Sequence, residues 1–382
     1  MSVTNSGAEV VGEKKRGRLQ KLLPWKKHKA QMKLTASPIA FEQYDPQTKS
    51  LLKQNFGVLN NLETVWPGGI CLPSTYRDIA DKVYHLPLRP SDVWVISFPK
   101  TGSTWTQELV WCVGNDCDLA KAKSLHMDVK FPLLEHWINS KGMMTKVIKQ
   151  KGAKTTKMFT MLRHNPELMA LAKNDTTQIM QQTPDNERRF VKTHIFFSLL
   201  PPRILDVCKI VYVTRNPKDT VVSYYHHNLL FKGLYEFRGD FKTFVELFMA
   251  NTLPWCPYWE NLRQAWSRKD HPNMCFLVYE DMKQDLAAAV RKVSDFLEKP
   301  MTEQQVVDLC DHLSFSSMSK NDKVNREVFR DVLMHENKSE KKFIRKGQIG
   351  DWKNYFDEDL NRRFDAWIAA NSEGIDIQFQ YE

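Results

Sequence analysis

The chain has 382 residues, of which 42% are hydrophobic and 26% charged, and a formal net charge of +10; this is the composition of a folded globular protein, not of a disordered or membrane-embedded one. Residues 1–33 hold nine Lys/Arg against two acids and residues 140–189 hold ten against four, contributing +7 and +6 and leaving −3 for the rest. The basicity is therefore confined to two segments, which argues against a nucleic-acid surface spread over the fold.

The seven cysteines are odd in number, with no CxxC pair and no histidine at zinc spacing. They read as buried free thiols in a reducing compartment, and neither a disulfide framework nor a metal site is expected. No apolar secretion core and no run of about 18 apolar residues is present, so the expected location is cytoplasmic.

Residues 1–35 are polar and basic, with Pro24 interrupting any helix. They read as a solvated, disordered tail ahead of a single domain over 36–382; contact of the basic side chains with an anionic membrane surface or an import receptor is the other reading. Residues 40–90 mix short helical and loop patterns, with a turn at Trp66-Pro67-Gly68-Gly69 and a helical stretch from Tyr76 to Tyr84. Val93 to Phe98 then has the length and character of a strand, and Ser103 to Val113 that of a buried helix. Between them lie Pro99, Lys100, Thr101 and Gly102. A helix N-terminus offers unpaired N–H groups and partial positive charge to an anion. Gly102 permits close backbone approach, while Lys100, Thr101, Ser103 and Thr104 add an ammonium and three hydroxyls. The stretch reads as a phosphate cradle, with an ordinary strand-to-helix turn as the plain alternative.

A short apolar segment, Phe131 to Glu135, precedes the basic insert at about 140–189, where Met158, Met161, Leu162, Leu168, Met169 and Leu171 give some helical periodicity. Three further strand-like runs follow: Arg189–His194, Lys209–Thr214 and Met274–Tyr279. Helices are expected after Asp219 and from about Ala287 to Leu297. Short β-rich runs separated by helices predict an α/β domain, with a central parallel sheet flanked by helices on both faces. Ligands of such sheets bind beyond the carboxyl ends of the strands, where Lys100, His194, Arg215 and Tyr279 are expected to lie. Near the end, Phe343 to Trp352 contains Arg345 and Lys346 followed by Gly347 and Gly350, a second candidate anion clamp or else a surface turn.

The cradle does not have the GxxxxGK[ST] spacing of a nucleoside triphosphatase, because Lys100 precedes Gly102. The Lys209–Thr214 run ends in Arg215 rather than an acid, although Glu280-Asp281 follows another strand, so magnesium is disfavoured but stays open. The dinucleotide fingerprint GxGxxG is absent.

PKTGSTW (99–105), KTH (192–194), TRNPKDTVVSYYH (214–226), YEDM (279–282) and RKGQIGDWK (345–353) together resemble the cytosolic sulfotransferase family in content and order. The resemblance implies transfer of a sulfuryl group from 3′-phosphoadenosine 5′-phosphosulfate (PAPS) to a hydroxyl or amine, without a metal. It assigns Lys100, Thr101, Gly102, Ser103, Thr104 and Trp105 to the 5′-phosphosulfate loop, with Trp105 stacking on adenine. Arg215 and Ser223 would bind the 3′-phosphate, joined by Arg345, Lys346 and Gly347. Tyr279 and Phe315 would flank the adenine, with Leu313, Ser314, Met318, Phe343 and Ile344 near them. For Trp105, Phe315 and Met318 the competing role is core packing.

His194 is implied as the general base, since an imidazole can take an acceptor's hydroxyl proton near neutral pH. Lys192, two residues back and on the same strand face, would stabilise the transferring group. Lys100 would offset charge on the leaving phosphate, and Ser223 would restrain Lys100 until the acceptor arrives. Thr193, Leu133 and His227 complete the expected acceptor contacts.

The chain departs from the family at several places. Leu313 stands where a Thr is usual, Leu133 where a Phe is usual, and His227 where an aromatic pocket residue is common. The family's dimer motif maps to Lys353–Arg362, but Asp357, Glu358 and Arg362 replace its key residues, which leaves the homodimer open. The insert before KTH is longer than usual and would either lid the acceptor pocket or form a mobile surface loop. Three functions are expected to compete: a sulfotransferase for a small apolar acceptor, a PAPS-dependent dehydratase of an allylic alcohol such as a retinoid, and a non-catalytic nucleotide-binding protein.

Overall fold

The structure, a computed structural model, describes residues 36–57, 61–136, 138, 160, 162–231, 235–325 and 342–382. The chain divides into two units, Met1–Ala36 and Ser37–Glu382. The basic tail lies outside the described residues, as do Met158 and Met161 of the insert.

Strands β1 (Ala40–Gln43), β2 (Leu62–Trp66) and β3 (Ile70–Pro73) pair antiparallel in the order β1-β2-β3. This small sheet corrects the expectation of helices and loops over 40–90, which holds for Pro46–Asn55, for the turn at Trp66-Pro67-Gly68-Gly69 that joins β2 to β3, and for the turn and helix spanning Ser74–Tyr84. Strands of four or five residues are too short for a period of two to stand out from composition.

The second sheet is the one predicted. Strands β4 (Val93–Ser97), β5 (Phe190–Thr193), β6 (Lys209–Thr214) and β7 (Met274–Val278) run parallel in the order β5-β4-β6-β7. Val95 lies opposite Lys192 on one side and Val211 on the other, and Val211 lies opposite Cys275. The helices used below are α1 (Ser103–Gly114), α2 (Pro217–Leu230), α3 (Tyr279–Gln284), α4 (Leu286–Phe296), α5 (Glu303–His312) and α6 (Glu358–Asn371).

Alternation along the strands sorts the core into two. Trp94, Ile96, Ile210 and Tyr212 pack with Val221 and Tyr224 of α2 and with Leu360 and Phe364 of α6. Val93, Val95, Val211 and Val213 pack with Leu109 and Val113 of α1, Val290 and Val293 of α4, and Leu309 of α5. Both faces are covered, which is why the strands read as continuous apolar runs.

Polar residues fix where the helices start. The Asn216 side chain accepts from the Asp219 N–H at 2.8 Å at the start of α2, and Asp357 accepts from the Leu360 N–H at 2.7 Å at the start of α6. Asp357, a departure from the dimer motif, thus serves as a helix cap here. The later part of the insert forms two helices, Pro166–Lys173 and Thr176–Gln182, and Thr176 Oγ1 donates to the Leu133 carbonyl at 2.7 Å. That part is packed against the domain; the remainder of the insert lies outside the described residues. All seven cysteines are free, and among the described residues no helix is long and apolar enough to cross a membrane.

Candidate active site

The order β5-β4-β6-β7 sends the connection leaving β4 to one side and the connection leaving β6 to the other, so a crevice opens beyond the carboxyl ends of β4 and β6. The loop after β4 enters it with Lys100 at φ 71° and Gly102 at φ 104°, both left-handed. A Cβ on Gly102 would stand 2.8 Å from Tyr279 Cδ2, so the ring as well as the backbone requires glycine. No side chain caps α1, whose first-turn N–H groups therefore face the crevice without a side-chain acceptor. Thr101 differs from expectation: its hydroxyl is buried, 2.8 Å from the Phe98 carbonyl and 3.0 Å from that of Val213. That hydroxyl ties the loop to β6, leaving Ser103 and Thr104 as the hydroxyls of the first turn.

Aromatic side chains line the next part. Trp105 Nε1 donates to the Leu313 carbonyl at 2.9 Å, and its ring meets Tyr279 edge-on at 5.6 Å between centroids. Leu313 therefore contributes a backbone carbonyl while its side chain packs in the core, and Met318 is also a core residue. Phe315 keeps one of the few exposed large apolar side chains, at 41%. Its ring lies against Gly347 (φ 63°), where a Cβ would stand 2.5 Å from Phe315 Cδ2. Ser314 caps the short helix Phe315–Lys320, and Ile344 packs on the same core.

Cations surround this pocket. The Arg215 guanidinium lies 4.4 Å from the Tyr279 ring centroid and donates through Nη2 to the Gln348 carbonyl at 2.8 Å. Its Nε is buried with no partner among the described residues, a donor position suited to an anionic oxygen. Arg345 and Lys346 converge on Asp351, at 2.5 Å and 2.6 Å. Burial works against charge on Asp351, but hydrogen bonds from Lys346, Arg345 and Asn354 outweigh it and hold the carboxyl down to about 2. Asp219 of α2 accepts from the Gly350 and Trp352 N–H groups at 2.9 Å and 3.0 Å, fastening this loop to the crevice.

The third part is the corner at the end of β5. His194 Nδ1 lies 2.7 Å from the Ser97 carbonyl, an oxygen that only accepts, so Nδ1 carries the proton and Nε2 is the basic nitrogen of the neutral ring. Lys192 and His194 are both buried, at 6% and 7% exposure. The Lys192 N–H donates to the Pro132 carbonyl at 3.1 Å, and its carbonyl accepts from the Leu134 N–H at 2.8 Å. The segment Pro132–Leu134 thus extends β5 on its outer edge, with Leu133 bridged to Lys192. Glu135, which sequence reasoning passed over, is fully buried beneath the corner. Its Oε1 accepts from the His194 N–H at 2.7 Å and its Oε2 from the Thr193 hydroxyl at 2.8 Å. Burial pushes its carboxyl up to about 7 despite those bonds.

Phe343 joins the donor and acceptor sides: the Lys100 ammonium lies 4.2 Å from its ring centroid, and His227 lies 6.2 Å away. His227 also contacts Phe231 at 4.8 Å and Tyr235 at 5.7 Å, while Trp255 faces His194 at 6.5 Å. This aromatic wall was not foreseen beyond His227; its members come from the end of α2 and from separate loops. Ser223 lies partly buried on α2.

Glu280, weighed from sequence as a magnesium ligand, is turned inward. Its Oε1 accepts from the Asn216 N–H and side-chain amide, both at 2.9 Å, and burial pushes its carboxyl up to about 7. Among the described residues one group, Glu108, Cys112 and His312, brings possible ligand atoms within 4.8 Å of one another. Glu108 is already bonded to His312 Nε2 at 2.8 Å and to the buried ammonium of Lys130, which balances its charge.

The sulfotransferase domain family matches residues 90–376. Luciferin sulfotransferase of Photinus pyralis is 36% identical over 304 residues, covering 78% of this chain and 76% of that protein. Sulfotransferase 1E1 of Homo sapiens is 30% identical over 315 residues, covering 82% and 95%. Among solved structures, retinol dehydratase in complex with androsterone and the inactive cofactor PAP is 32% identical with a TM-score of 0.81, covering 90% of this chain and 99% of that one. A complex of retinol dehydratase with retinol and PAP gives a TM-score of 0.78. A match over most of the chain, on a fold whose strand ends carry the family's motifs, leads to one conclusion: the protein belongs to the cytosolic sulfotransferase family of PAPS-dependent enzymes.

Proposed function

We propose that the enzyme moves the sulfuryl group of PAPS to a hydroxyl, or an amine, of a small and largely apolar acceptor in the cytoplasm, with His194 as general base. The observation that carries this reading is the bond between His194 Nδ1 and the Ser97 carbonyl, which leaves Nε2 as the basic nitrogen of a ring that faces Trp255.

The residues fit a nucleotide with two phosphates. The uncapped start of α1 suits one phosphate, and the buried Nε of Arg215, with Ser223, Arg345 and Lys346, suits another. Trp105, Tyr279 and the open face of Phe315 suit a purine. When bound, PAPS supplies an activated sulfuryl group on a phosphate leaving group. His194 Nε2 takes the acceptor's proton, so that the acceptor oxygen can attack sulfur. Lys192 offsets charge on the transferring oxygens, and Lys100 offsets charge on the phosphate oxygen left behind. Ser223 is assigned to restrain Lys100 before the acceptor arrives.

The wall formed by His227, Phe231, Tyr235 and Phe343 favours a flat or apolar acceptor. A second reading, elimination after transient sulfation of an allylic alcohol, is favoured by the likeness to retinol dehydratase. A radiolabelled-sulfate screen of phenols, steroids, retinoids and amines tests both. A stable sulfate ester supports transfer and an anhydro product supports the dehydratase; tight PAP binding with no turnover on any acceptor would leave only a nucleotide-binding protein.

A further inference from the structure

Thr193, the last residue of β5, and His194, just beyond it, are held from below by one buried side chain. Glu135 Oε1 accepts from the His194 N–H and Oε2 from the Thr193 hydroxyl, at 2.7 Å and 2.8 Å. The Thr193 oxygen accepts in turn from the Ile195 N–H at 3.0 Å, so the bonds run continuously around the strand end. A carboxylate, with two oxygens that both accept, matches two donors on adjacent residues. Above the corner, the Ser97 carbonyl holds the imidazole itself. The ring is therefore fixed through its backbone on one side and through Nδ1 on the other.

Burying a carboxylate is costly unless it is bonded, and an apolar core would not require one here. The charged and titratable groups facing it are Lys192 and His194 from β5 and Tyr76 from the turn Ser74–Asp78. Burial pushes the Glu135 carboxyl up to about 7, so it is the geometry of its two bonds that holds the strand end. Glu135 is also covalently continuous with Pro132–Leu134, the segment paired to Lys192. One short piece of chain therefore braces all three residues of the KTH corner.

We infer that Glu135 is the positioning residue of the catalytic corner, fixing His194 through its backbone N–H and through the Thr193 hydroxyl. This rests on the reading of His194 as the base. Glu135 itself touches neither acceptor nor donor.

The test is steady-state kinetics with a pH profile of kcat for Glu135→Gln, Thr193→Val, Thr193→Ser and His194→Ala, each checked for PAP binding. Glu135→Gln is expected to lower kcat about 10- to 100-fold with the KM for PAPS near parental. Its pH profile no longer carries the ionisation of the buried Glu135 carboxyl, which burial pushes up to about 7. Thr193→Val loses kcat to a smaller extent and Thr193→Ser restores it, which a role in packing alone would not produce. Parental kcat and an unmoved pH profile in both Glu135→Gln and Thr193→Val, with His194→Ala inactive, overturns the inference. Should Glu135→Gln fail to bind PAP, Thr193→Val and its rescue by serine decide alone. Activity retained by His194→Ala overturns the assignment of the base instead.

Discussion

Gly102 meets two demands at once, a left-handed backbone and a Tyr279 ring that leaves no room for a methyl group. Gly102→Ala should therefore push Tyr279 aside and disturb both the phosphate loop and the adenine wall. The expected outcome is a loss of about 1–2 kcal/mol in stability and a fall in PAP affinity of at least about tenfold, read by thermal unfolding and calorimetric titration. Arg215 offers a second test at this scale. Its guanidinium stacks on Tyr279 and bonds the Gln348 carbonyl, yet Nε is buried with no partner among the described residues. Arg215→Lys keeps the charge but loses the planar fork, so PAP binding should weaken about 10- to 100-fold while the fold persists.

At the scale of elements, the start of α2 depends on a buried acid from α3. Glu280 accepts two bonds from Asn216, and its other oxygen has no partner among the described residues, which suits a carboxyl pushed up to about 7. Glu280→Ala leaves the Asn216 N–H buried without its acceptor, while the side-chain amide keeps Asp219 Oδ2 and the Gln380 carbonyl, and a loss of about 1–3 kcal/mol in denaturant unfolding is expected. The pH dependence has a definite sign. Glu135 and Glu280 both rise from 4.5 to about 7, so between those values the folded state binds more protons than the unfolded one. Their contribution to stability therefore declines as pH rises through this window. Glu280→Gln should flatten that decline in a series of melting temperatures. Asp351 acts oppositely: held down to about 2, its contribution is present above the ordinary value of 3.8 and is lost as pH falls towards 2.

At the scale of the whole molecule, the parallel sheet was legible because burial on both faces leaves unbroken apolar runs, with Lys209–Thr214 forming β6 residue for residue. The placement at the rim was legible too, since His194, Arg215 and Tyr279 follow directly on β5, β6 and β7 and Lys100 lies in the loop after β4. The hairpin of β2 and β3 was not, being too short to display a period. Nor was Glu135, whose partners lie 58 and 59 residues away in sequence. Most of the aromatic wall escaped for the same reason, since Phe231, Tyr235 and Trp255 meet His227 and His194 only in the folded chain. The proposed donor contacts thus sit on motifs contiguous in sequence, whereas the proposed acceptor contacts are assembled from scattered positions.

The central claim is that His194 removes the acceptor's proton at a site where PAPS is held by other residues. Single-turnover transfer of labelled sulfate, with enzyme saturated in PAPS and an acceptor found by screening, tests this most directly. His194→Ala is predicted to slow the transfer step by about 10²- to 10⁴-fold, with PAP affinity close to parental. Transfer at the parental rate, or slow transfer accompanied by an equal loss of PAP binding, would contradict the account.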